Sequence, residues 1–155
     1  MTPAINIAKD AKNAFTIHEY QHDPKHESFG LEAAEKLGVD QQRVFKTLVV
    51  KLDNCDLAIG VLPVSTLLSM KTVAKSLGAK RAEMASQSDA ERATGYLLGG
   101  ISPLGQKRRL KSVIDQSAQQ YQTIYVSAGR RGLEIELAPN DLCRLASASF
   151  AAITQ

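Results

Sequence analysis

The 155-residue chain contains no tryptophan, two cysteines, three histidines and only 5% aromatic residues. Each scarcity excludes something. Cys55 and Cys143 lie far apart and join no Cys-x-x-Cys or Cys/His cluster, which argues against a zinc site or a disulfide-stapled secreted scaffold and fits a reducing cytoplasm. The low aromatic content argues against a large base-stacking platform. No run approaches the ~18 apolar residues of a membrane span. The first fifteen residues, interrupted by Lys9, Asp10 and Lys12, lack the apolar core of a signal peptide. What is present is ordinary. With 44% hydrophobic and 23% charged residues, the composition is that of a soluble globular protein rather than a disordered or fibrous one. A chain of this length reads as one domain over residues 1–155, burying roughly 68–70% of its unfolded surface without a metal or disulfide staple.

The net charge of +3 is unevenly spread. Residues 1–60 carry seven basic and nine acidic side chains, whereas 61–111 carry nine basic against three acidic. Such a face suits a polyanion, because phosphate neutralisation supplies much of nucleic-acid affinity, although a solvated basic surface would show the same bias.

Pro3 opens a helix over 3–13, with Ile5, Ala8 and Ala11 at helical spacing. Phe15–Tyr20 reads as a strand and 21–28 as a polar loop. Leu31–Leu37 is helical and stops at Gly38, and Asp40 caps a short turn. Val44–Lys51 and Leu57–Val64 form a hairpin. Met70–Leu77 and a segment from Ser86 or Ser88 to Thr94 are helices. Val113–Ile114, Thr123–Ser127 and Leu133–Leu137 add strands, the last two joined by Gly129-Arg130-Arg131-Gly132, and a final helix opens near Pro139–Asp141. This order implies an α+β fold: a mixed, mostly antiparallel sheet covered by helices.

Lys46 is the first candidate functional residue. Strand alternation places it with Val44, Leu48 and Val50, and an ammonium on an apolar face either snorkels to water or serves a site. The second is Gly99-Gly100-Ile101-Ser102-Pro103-Leu104-Gly105, followed by Gln106-Lys107-Arg108-Arg109. Clustered glycines permit close backbone approach to an anion or oxyanion, or simply a structural loop. The segment fits neither a P-loop nor a nucleophile elbow. His18, His22 and His26 would align on a helix, but Pro24 interrupts it, so they read as surface or packing residues, and no metal or cofactor is expected. Glu134 and Glu136 share one strand face, as a carboxylate pair or a solvent-facing edge.

Phe45-Lys46-Thr47-Leu48, Ser76-Leu77-Gly78-Ala79-Lys80, the long Thr94–Gly105 segment and Ile124-Tyr125-Val126-Ser127 together resemble the YbaK family, free-standing relatives of the editing domain of bacterial prolyl-tRNA synthetase. The resemblance runs from Thr2-Pro3-Ala4 to the last helix. It implies a sheet curled into a barrel-like core and a trans-editing deacylase that clears cysteine from mischarged Cys-tRNA(Pro). A synthetic site rejects near-isosteres only by modest factors, so a second site is needed. In such enzymes the residue matching Lys46 is essential, Gly99–Pro103 (Gly99, Gly100, Ile101, Ser102, Pro103) line the pocket, and Tyr20, Phe29, Thr47 and Ser127 surround it. The substrate's own thiol attacks the ester, which makes the enzyme a lyase in one accounting and a hydrolase in another. Lys107, Arg108, Arg109, Arg130 and Arg131 would meet the acceptor-stem backbone of the tRNA, with prolyl-tRNA synthetase as the partner that selects it; neither DNA nor a membrane is implied. Glu134 stands where the family often has Asp, which bears on amino-acid preference. An alanine-specific deacylase and a non-catalytic tRNA- or synthetase-binding module are the competing readings.

Overall fold

The computed structural model describes residues 1–26 and 28–155; Glu27, inside the polar loop expected over 21–28, lies outside the described residues. Among the described residues, eight strands divide between two sheets. Strand β1 (Phe15–Glu19), β7 (Leu133–Leu137) and β6 (Ile124–Arg130) form an antiparallel three-stranded sheet in the order β1-β7-β6. The second sheet has the order β4-β2-β3-β5-β8, built from β2 (Phe45–Leu52), β3 (Leu57–Pro63), β4 (Ala82–Met84), β5 (Lys111–Asp115) and β8 (Ser149–Ala151). The β2–β3 hairpin and the β2–β4 pair are antiparallel, whereas β3–β5 and β5–β8 are parallel. The fold is α+β with mixed pairing, as expected, but the strands form two sheets rather than one. They do not close into a barrel: among the described residues the two sheets meet by backbone pairing only at a single bridge, Val44 to Tyr125.

Among the described residues, five α-helices cover the sheets: α1 (Pro3–Asp10), α2 (Phe29–Leu37), α3 (Met70–Ser76), α4 (Gln87–Thr94) and α5 (Pro139–Leu145). Their starts follow local chemistry. The side chains of Thr2, Ser69 and Ser86 cap α1, α3 and α4 by accepting backbone N–H bonds, and Pro3 and Pro139 occupy first-turn positions. The stops are equally local: Gly38 and Gly95 take the left-handed conformation that ends α2 and α4.

The main core lies between the sheets. Phe45 and Val49 of β2 meet Ile124 and Val126 of β6 and Ile135 of β7, sealed by Ala4, Ile5 and Ala8 of α1 and by Ala90 and Ala93 of α4. The opposite face of the larger sheet packs Val50, Leu62 and Val113 against Val73 of α3. A third cluster seats Ala33 and Ala34 of α2 on Val44, Val64 and Tyr125.

Tyr96 is the anchor of the glycine-rich segment. Its ring is buried, its hydroxyl donates to the Leu104 carbonyl at 2.7 Å, and burial pushes that hydroxyl up to about 12, so it stays a donor. Removing the hydroxyl leaves a buried carbonyl unpaired. Tyr96→Phe is expected to lower unfolding free energy by about 1–3 kcal/mol, measured by urea denaturation with an unchanged m-value.

Candidate functional site

A mismatch in strand length opens the site. Strand β2 has eight residues, but its outer neighbour β4 has three and pairs only with Val50, Lys51 and Leu52. The edge from Phe45 to Leu48 therefore has no neighbouring strand among the described residues. The Val44 carbonyl accepts from Val64 on the β3 side, while the Val49 carbonyl accepts from Ala85 on the other. Antiparallel alternation then turns the N–H and C=O of Thr47 to the open edge. A cavity of about 310 Å³ lies there, walled by Phe45 to Leu48, Tyr20, the start of α2, the glycine-rich loop and the facing strands β6 and β7.

Lys46 reaches this cavity on the side expected from alternation. Its Nζ donates to the Thr66 carbonyl at 2.6 Å, and burial lowers its pKa from the ordinary lysine value. Among the described residues the ammonium is thus held by one acceptor and otherwise faces the pocket. Thr47 also lines the cavity, and its buried Oγ1 has no hydrogen-bond partner among the described residues. A polar atom left so is a candidate ligand contact.

Tyr20 follows β1, where its N–H donates to the Gly132 carbonyl at 2.9 Å. Burial first, and then the neighbouring Glu134, push its hydroxyl up to about 12. Glu134 itself is 7% exposed, and burial alone pushes its carboxyl up to about 8. At neutral pH it is a neutral acid. Solvent exposure was one expectation for Glu134 and Glu136; instead Glu134 lines the pocket. Glu136 sits in a separate cluster that does not enter the cavity. There burial raises its pKa, but hydrogen bonds from Thr123 and His18 outweigh this, with help from Arg43, and hold it below the usual range.

Phe29 opens α2 at the pocket wall, and Ser127 lines the cavity from β6, its Oγ accepting from the Gly129 N–H at 3.2 Å. Of the glycine-rich loop, Gly99 and Ile101 reach the cavity. Gly100, Ser102 and Pro103 lie buried behind it, with the Ser102 hydroxyl taking the Leu104 N–H. The glycines answer a protein constraint. A Cβ on Gly99 would lie 2.3 Å from Arg131 Nε, and one on Gly100 would lie 2.6 Å from the Arg130 Cα.

The basic residues divide. Arg108 and Arg109, with Lys80 and Lys111, line a second and larger cavity of about 440 Å³ beyond the Leu52 end of β2, and Lys107 is exposed nearby in sequence. Arg130 lies by Met1, Ile5 and Phe15 on another surface. Arg131 alone reaches the rim of the first cavity. Its guanidinium stacks on Phe29 at 3.9 Å from the ring centroid.

Three contributors were not legible in the sequence. Thr66 matters only through a backbone carbonyl. His22 and Glu32 look like scattered surface polarity, yet their side chains meet at 2.6 Å beside the pocket, and Glu32 is fully buried. His18 and His26 pair with other glutamates, Glu136 and Glu35.

Comparison with known proteins identifies the family. Residues 25–145 match the family described as "Aminoacyl-tRNA editing domain". The chain is 38% identical over 153 residues to an Enterococcus faecalis protein named "Putative Cys-tRNA(Pro)/Cys-tRNA(Cys) deacylase EbsC", covering 99% of this chain and 93% of that one. A proline–tRNA ligase of Shouchella clausii is 40% identical over 76 residues, which is 49% of this chain and 13% of the ligase. The fold superposes on a crystal structure of "a putative trans-editing enzyme for prolyl tRNA synthetase" with a TM-score of 0.82 at 18% identity, covering 100% and 99% of the two chains. The chain therefore belongs to the aminoacyl-tRNA editing domain family.

Proposed function

We propose that the protein is a trans-editing aminoacyl-tRNA deacylase of the cytoplasm that removes cysteine from mischarged Cys-tRNA(Pro), the substrate's thiol acting as nucleophile. One observation carries the reading: among the described residues the pocket lining offers an ammonium and hydroxyls but neither a histidine nor a cysteine, and its one carboxyl, Glu134, is mostly protonated at neutral pH. Hydrolysis by water would need a base, and acyl transfer to Ser127 or Thr47 would need one as well. A cysteinyl ester brings its own nucleophile. Sulfur attacks the ester carbonyl, the bond to the ribose oxygen breaks, the thiol proton ends on that oxygen, and a cyclic thiolactone leaves with free tRNA.

The protein's part is then orientation and electrostatics. Lys46, fixed on the Thr66 carbonyl, offers its remaining N–H groups to the phosphate or ester of the terminal nucleotide. The open edge of Thr47 and the loop at Gly99 and Ile101 supply backbone groups to the ester, and Tyr20 and neutral Glu134 present hydroxyl donors. Phe29 and Ile101 wall the amino acid. Lys107, Arg108, Arg109 and Arg130 would contact the acceptor stem. Arg108 and Arg109 lie beyond Leu52, four residues along β2 from Leu48, which is about 13 Å at 3.3 Å per residue and a reach suited to a short single-stranded end. Such contacts are blind to sequence, so prolyl-tRNA synthetase is the proposed partner that supplies the tRNA.

Deacylation of tRNA(Pro) charged with Cys, Ser or Ala is the direct test. Cys is expected to be cleared with Ser far slower, and Lys46→Ala is expected to reduce Cys clearance roughly a hundredfold or more. Equal loss of Ser and Cys would overturn the thiol mechanism, and selective loss of Ala would replace it with the alanine-specific reading.

Glu134 generates a pH prediction. Between the usual 4.5 and about 8 the folded protein keeps a proton that the unfolded chain has lost. Stability therefore falls as pH rises through that window and levels off above it. Glu134→Gln is expected to flatten this slope and to raise the thermal midpoint most at the alkaline end, read by thermal unfolding from pH 5 to 9.

A further inference from the structure

Arg131 was read from sequence as a contact for the tRNA backbone, but its surroundings describe another task. Its guanidinium lies over Phe29 with 3.9 Å from Cζ to the ring centroid, and its Nε donates to the Leu98 carbonyl at 3.3 Å. Its Nη1 lies 3.5 Å from His22 Nε2. It therefore touches the first residue of α2, the glycine-rich loop and the segment after β1, all three at the mouth of the pocket. Gly99 fits beneath it only because it has no side chain: a Cβ there would meet both Arg131 Nε and, at 3.0 Å, Phe29.

The position of His22 is fixed from behind. Its Nδ1 is 2.6 Å from Glu32 Oε1, and the second oxygen of Glu32 takes the Asp23 N–H at 2.7 Å, with Lys36 Nζ at 3.9 Å. Burial works against the Glu32 charge, yet the bonds from His22 and the Asp23 N–H, with the charge of Lys36, hold its pKa below the usual range. An ionised carboxylate accepts from Nδ1–H, which fixes the ring so that the Nε2 lone pair faces Arg131. Glu32 is fully buried. It does not enter the cavity, and its neighbours in α2 are alanines packed on Val44 and Val64.

We propose that Glu32, His22 and Arg131 form a brace in which the buried Glu32–His22 pair orients Arg131, and Arg131 pins the glycine-rich loop and Phe29 together at the pocket mouth. These are positioning residues. They act through the loop at Gly99 and the ring of Phe29, and their effect on turnover rests on the deacylase reading above. Misplacing a substrate by about 1 Å costs roughly a hundredfold in rate. Loosening the mouth is therefore expected to lower kcat by about tenfold or more while changing KM little.

The experiment combines hydrogen–deuterium exchange with kinetics on the full chain. Three variants are compared: Arg131→Lys keeps the charge but loses the planar stack and the Nε bond; His22→Asn keeps a donor for Glu32 but loses the Nε2 face; His22→Ala loses both. The brace predicts faster exchange over residues 95–105 in all three without substrate, because the Gly100 N–H is bonded to the Leu97 carbonyl within the pinned loop. It also predicts that His22→Asn keeps the wild-type thermal midpoint better than His22→Ala, while both lose kcat on Cys-tRNA(Pro). Wild-type exchange in Arg131→Lys and His22→Asn overturns the brace. So does an Arg131→Lys variant with normal kcat whose Arg131→Ala counterpart shows only a raised KM and a weaker salt dependence, the signature of a phosphate contact. Faster exchange in all three, together with a wild-type protein inert toward every aminoacyl-tRNA(Pro), would support the brace and overturn the deacylase reading, so the two fail separately.

Discussion

Everything that makes a site in this protein follows from strand β2 being longer than the strand beside it. Backbone N–H and C=O groups must be paired or hydrated, and a strand edge left open inside a fold is normally covered. Here β4 covers only the far end of β2, and the near end faces a cavity rather than another strand. Lys46 and Thr47 occupy that stretch, so one wall of the candidate site is made from an uncovered segment of an otherwise conventional sheet. The second sheet and α2 close the cavity's other sides, and no further specialised element is required.

Three glutamates show how environment divides one residue type into different tools. Glu32 is fully buried but receives two strong hydrogen bonds and stays ionised. Glu136 is supported by Thr123, His18 and Arg43 and also stays ionised. Glu134, one alternation step from Glu136, is buried without such support and keeps its proton. Its separation from Glu136 in acidity is the kind of split that lets carboxyls in one fold serve different roles.

Much of the fold was legible because its signals are local. The β2–β3 hairpin, the helix start at Pro3, the cap at Ser86 and the stop at Gly38 are written in adjacent residues. The three-residue strands β4 and β8 were not, because Ala82–Met84 and Ser149–Ala151 have little strand character and are recruited by the edges they join. The candidate site was legible where residue type was unusual for its place, as with Lys46 on an apolar face. It was opaque where long-range packing decides. The glycines of the 99–105 loop suggested open space for a ligand, whereas two of them make room for Arg130 and Arg131, residues thirty positions later. The basic residues that follow the loop are adjacent to it in sequence, and the fold carries Arg108 and Arg109 to another cavity.

The carbonyl that holds Lys46 belongs to Thr66, in the turn after β3, and that turn is tied to a remote part of the chain. Ser69 donates to the Ile153 carbonyl, Gln155 donates to the Leu67 carbonyl, and Ile153 is itself fixed by Asp115. The shelf on which the ammonium rests is thus anchored through backbone hydrogen bonds to Ile153 and Gln155, so residues that line no part of the pocket help to set where Lys46 is held.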